Sequence, residues 1–123
     1  MRISKIWTKS SQYIEPELYI YYMLFVSPIM NHDEQIQTMI NQTMDSAISQ
    51  IEGYLGEIER SNDVLKISDS KEFVYGLIIG QTLGLAMAAL SSLKKEMPTQ
   101  NDQEKIRDMI YKNVPELRKR LFE

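Results

Sequence analysis

The chain has no cysteine, a single histidine, four prolines and five glycines among 123 residues. Without cysteine there are no disulfides and no thiolate metal sites, and such a composition fits a reducing compartment. A cytoplasmic location is expected on that ground. The one histidine, His32, leaves a metal ion without the usual imidazole partners. No glycine-rich phosphate loop follows a strand pattern, and no Ser/His/Asp or Cys/His set of nucleophile and base occurs. These absences argue against an enzyme, and neither cofactor nor metal is expected. Little Gly and Pro, with 43% hydrophobic and 25% charged residues, also excludes a disordered chain. A secretory signal is not expected, because Glu15 and Glu17 separate the basic start from the apolar 18–26 run and no small-residue cleavage site follows. The length fits one domain, 1–123, able to bury a single core.

The most telling absence is of charge. The 21 residues from Phe73 to Leu93, FVYGLIIGQTLGLAMAALSSL, hold no charged side chain. The run is too long for an ordinary strand and reads as helix. Asp69 or Ser70 can cap its start, with Glu72 completing a capping box on Asp69. Lys94 and Lys95 suit its end, and Pro98 forbids continuation. Within it Gly76, Gly80 and Gly84 recur every fourth residue and Ala88 continues the row, so all four lie near one face. Each mid-helix glycine costs about 1 kcal/mol relative to alanine, roughly 3 kcal/mol for the three. Close approach of another backbone is the expected compensation, which makes Gly76, Gly80, Gly84 and Ala88 a helix-packing or oligomer interface.

A helix apolar all round is either a buried central helix or a membrane span. About 20 apolar residues suffice for a span, and small residues at every fourth position are common at transmembrane interfaces. Gln81 and Thr82 near the midpoint, the three glycines, and Ser91 with Ser92 weaken that reading. The amphipathic pattern elsewhere also needs a core. A soluble buried helix is the preferred reading, and a single span at 73–93 is the alternative, with the Lys/Arg excess after Leu93 placing the C-terminus in the cytoplasm.

The rest of the chain is amphipathic. Ile3, Ile6, Trp7, Ser10, Tyr13 and Ile14 suggest a short N-terminal helix that docks Trp7 into the core. Pro16, between Glu15 and Glu17, is a helix-start signal. Over 18–26 a helix is preferred to a strand despite the β-propensity of YIYYMLFV, and it ends at Ser27-Pro28. Asn31 or Asp33 caps a long helix from Asp33 to about Asn62. Its seam is Ile40, Met44, Ala47, Ile51, Tyr54 and Ile58, widened by Ile36, Ile48 and Leu55. Gly53 and Gly56 should soften this helix, and Ser61-Asn62-Asp63 should break it. Asp45, Glu52 and Glu59 form an acidic line away from the seam, without the Glu-x-x-His pairs of di-metal bundles, and read as a solvated face. After Pro98, Asn101 or Asp102 is expected to cap a last helix with stripe Ile106, Ile110, Val114, Leu117 and Leu121. Pro115 should kink or restart it.

The expected fold is therefore an all-α helical bundle built on a long antiparallel hairpin, about 33–62 and 70–96, with shorter N- and C-terminal helices. Two such helices expose more apolar flank than the short ones cover, so a homodimer is expected. Charge divides as +3 over 1–12, −9 over 13–104 and +3 over 105–123. Basic termini on an acidic body raise nucleic-acid association as a third and weaker alternative. Arg118, Lys119 and Arg120 otherwise read as a solvated last turn. Tyr19, Tyr22, Met23, Met39 and Met44 offer an adaptable partner surface. The leading functional expectation is a non-catalytic helical interaction module, a small adaptor or regulatory subunit, homo-oligomeric and open to a protein partner.

Overall fold

The structure is a computed structural model that describes residues 31–123. Expectations for the first 30 residues, including the Trp7 arm, the helix-or-strand choice at 18–26, Tyr19, Tyr22 and Met23, lie outside the described residues.

The described residues form α1 (His32–Ser49), α2 (Ile51–Leu65), α3 (Ser70–Lys94), α4 (Gln100–Tyr111) and α5 (Val114–Phe122). About 85% of them are helical and none lies in a strand. Helix α3 touches all four others, most extensively α1. It runs antiparallel to the α1–α2 arm, so its end at Leu90 and Lys94 lies beside His32 and Ile36 at the start of α1. One core joins Ile36, Met39, Ile40, Met44, Ile48, Ile51 and Ile58 of the arm to Val74, Ile78, Ala86 and Leu90 of α3. Ile106, Ile110, Leu117 and Leu121 of α4 and α5 close it.

The arm follows its predicted seam, with Ile40, Met44, Ala47, Ile51 and Ile58 buried and Tyr54 half-buried. Asn31 caps it, accepting the Glu34 N–H at 2.8 Å and donating from its own amide to the Glu34 carboxylate at 2.8 Å. The helix is interrupted at Gln50, not at the glycines, and it runs through 61–63 to Leu65. Just before Gln50, the Ser49 hydroxyl donates to the Ser46 carbonyl at 2.6 Å. A side chain competing for ladder carbonyls in this way locally bends a helix. Asn62, expected to break the helix, instead shapes its end: its Oδ1 accepts the Ile67 N–H at 2.8 Å. Lys66 meanwhile takes the left-handed conformation at φ 54°.

Asp69 caps α3 through the Glu72 N–H at 3.1 Å. Lys95 ends it at φ 59° with its N–H on the Ser91 carbonyl. For α4 the expected cap moves upstream. Thr99, not Asn101 or Asp102, is the N-cap, and it forms a reciprocal capping box with Asp102. Its hydroxyl accepts the Asp102 N–H at 3.1 Å, and Asp102 accepts the Thr99 N–H at 2.9 Å. Pro115 restarts the helix as α5, in its first turn.

Candidate functional site

Helix α3 divides into two unlike sides. Val74, Ile78, Thr82, Ala86, Ala89 and Leu90 are buried against the other helices. Thr82 satisfies its hydroxyl locally by donating to the Ile78 carbonyl at 2.8 Å, so a polar side chain sits in the core without needing water. The opposite side shows Phe73, Gly76, Gly80, Gln81, Gly84, Ala88 and Ser92 to solvent, all uncharged. Leu77, Leu83 and Met87 are half-buried along its flanks. Only 33% of the most apolar stretch of α3 is buried among the other helices, although the helix is long and apolar enough to cross a membrane. Helices that complete a soluble core are normally amphipathic, with charge on the outer side. This one is not.

The glycine row does not behave as the close-approach expectation requires. A Cβ built on Gly76, Gly80 or Gly84 meets nothing within 4 Å. No neighbouring backbone lies in the notches among the described residues. The roughly 3 kcal/mol of lost helix propensity therefore has no offset inside the described bundle.

The surface role expected of Met39 and Met44 is also corrected. They are 1% and 0% exposed respectively and pack among Ile36, Ile40 and Ile48 in the core. Their spacing places them on the same stripe as those isoleucines, and that stripe faces α3. The acidic line of Asp45, Glu52 and Glu59 is solvent-exposed, as its position opposite the seam implies.

A second feature, unforeseen from the sequence, is a shallow cleft of about 190 Å³ where α1, α3 and α4 meet, lined by His32, Asp33, Leu90, Lys94, Asp102 and Lys105 among others. Its charges are already matched. Lys94 pairs with Asp102 at 2.8 Å and Lys105 with Asp33 at 3.2 Å. The Lys94 hydrogen bond, helped by the Thr99 N–H, holds the Asp102 carboxyl at about 2 against an ordinary 3.8, and the same bond raises Lys94. Asp102 is thus committed twice, to its cap and to Lys94. The cleft ties helix ends together.

The C-terminal basic patch is likewise partly engaged. Arg118 donates to Glu72 at 3.1 Å and lies over the rings of Tyr75, at 4.7 Å, and Phe122, at 4.5 Å. Its charge anchors α5 to the start of α3, and the Glu72 contact raises its pKa further. Lys119 and Arg120 remain exposed.

No family model, curated protein or solved structure matches this chain. The outward side of α3 is uncharged from Phe73 to Ser92 and notched by three glycines.

Proposed function

We propose that this chain is a non-catalytic helical interaction module that works through the outward side of α3. One observation carries the reading: a charge-free helical face whose glycine notches meet no other part of the described residues within 4 Å. An uncharged helical side flanked by half-buried Leu77, Leu83 and Met87 is the kind of surface that protein or membrane contacts cover. The glycine cost is offset when another backbone enters the notches, where dispersion contacts accumulate.

A bilayer is the competing occupant of the same face. Against it stands the packing of α3 on α1, α2, α4 and α5. Residues such as Asp45, Glu52, Arg60 and Glu104 stand exposed on those helices. A hydrocarbon phase would have to strip these charges or pull the core apart, at a cost of a few kcal/mol for each charge. Nucleic-acid association through the basic ends has less support, because Arg118 already pairs with Glu72.

The test is the purified full chain, prepared without detergent, beside a Gly84→Lys variant. The wild type is expected to associate with protein, with itself or another chain, and to stay behind when anionic vesicles are floated. Gly84→Lys is expected to keep its helical content and lose the association, because an ammonium group then sits in the notch. Vesicle flotation of the wild type, or association unchanged in the variant, would refute the reading.

A further inference from the structure

The chain carries eight methionines and no cysteine, so thioethers are its only sulfur groups. Five of the methionines lie among the described residues, and the fold sorts them sharply. Met39, Met44 and Met109 are 1%, 0% and 8% exposed in the core, and Met87 is half-buried on α3. Met97 is 82% exposed, in the loop between α3 and α4.

The loop that carries Met97 is pinned on both sides. Lys95 closes α3 in the left-handed conformation, its N–H donating to the Ser91 carbonyl at 2.7 Å. Two residues beyond Met97, the Thr99–Asp102 box opens α4. Lys94 joins the two helix ends through Asp102 at 2.8 Å. Pro98 fixes its own φ and turns Met97 away from the helical region. The folded chain itself therefore displays the Met97 thioether, and a reagent reaches it without any opening of the bundle.

We propose that Met97 is a peroxide-modification site of the native bundle, oxidised to the sulfoxide while the core methionines are spared. The Met97 Sδ attacks one oxygen of hydrogen peroxide, and the O–O bond breaks. Sulfur is oxidised by two electrons as its bond to oxygen forms. The departing oxygen leaves as water, taking the proton of the oxygen transferred. The product is a polar sulfoxide in place of an apolar thioether, a change that disrupts a packed core. At Met97 it alters only the surface of the α3–α4 loop. Peroxide reaches Met39, Met44 and Met109 when the core opens, so their oxidation should be slower by ~10-fold or more.

The test treats the purified full chain with dilute hydrogen peroxide under native conditions and follows oxygen uptake by peptide mass mapping. Trypsin isolates Met97 on the peptide 96–105 and Met109 on 108–112, and fragmentation resolves Met39 from Met44. The 96–105 peptide should gain one oxygen at close to the rate it shows in the urea-unfolded chain. Met39, Met44 and Met109 should stay ~10-fold slower or more until urea is added. Helical content and melting temperature should be unchanged once Met97 carries its oxygen. A Met97→Leu chain should fold as the wild type does and lose the fast step, with Met39, Met44 and Met109 still slow. Met97 reacting no faster than those three would overturn the proposal. So would a lower melting temperature on its oxidation, or fast oxidation of Met39, Met44 or Met109 in Met97→Leu.

Discussion

Gly80 lies in the middle of a 25-residue helix, and among the described residues nothing beyond the helix's own adjacent backbone comes within 4 Å of where a Cβ would sit. At concentrations where the chain is monomeric, Gly80→Ala should therefore stabilise it by about 0.5–1 kcal/mol, the helix-propensity difference alone. Urea unfolding of dilute protein checks this, and a lower midpoint would mean that part of the same chain fills the notch. Met44 is the opposite case. Fully buried on the arm, it should cost about 2–5 kcal/mol on truncation to alanine, since the surrounding isoleucines cannot close the cavity. A surface methionine would show almost no change. Asp102 gives the pH dependence. Its carboxyl titrates at about 2 in the fold against 3.8 ordinarily, chiefly through the Lys94 hydrogen bond. A depressed carboxyl contributes stability that is present above pH 3.8 and lost as pH falls toward 2. Asp102→Asn should unfold at lower urea than wild type at neutral pH, and the gap should narrow between those two pH values. A gap that widens on acidification would contradict the Lys94–Asp102 pairing.

Among the elements, the ones drawn by long-range apolar periodicity were legible before any coordinates. The seam from Ile40 to Ile58 and the stripe from Ile106 to Leu121 describe the core because only helical spacing keeps those residues on one face. The all-α bundle and its central hairpin follow from that pattern. Local details depended on competition that spacing does not record. The interruption at Gln50 arises where the Ser49 hydroxyl captures the Ser46 carbonyl, a contact no periodicity signals. The start of α4 did carry a readable signature, Thr99 with Asp102 three residues on, which is the same reciprocal box formed with aspartate in place of glutamate. Thr99→Ala should accordingly cost about 1 kcal/mol in thermal unfolding, within the range of lost N-caps. An unchanged melting temperature would show that Asp102 holds the turn without its partner. The glycine row is the instructive partial success. Its spacing located one continuous face of α3, whereas spacing within one helix does not record whether another surface covers that face.

For the molecule as a whole, α3 has two roles: one side joins four other helices into a core, and the other, uncharged along Gly76, Gly80, Gln81, Gly84, Ala88 and Ser92, faces outward from the described residues. On the reading proposed above, protein covers that face, and a homodimer of the 14.4 kDa chain is the expected form. Sedimentation equilibrium of the full-length chain across the micromolar range tests this most directly. A mass rising from 14.4 kDa toward twice that value, with Gly80→Leu held at the lower mass, is the predicted result. A single 14.4 kDa species for the wild type at every concentration would contradict it.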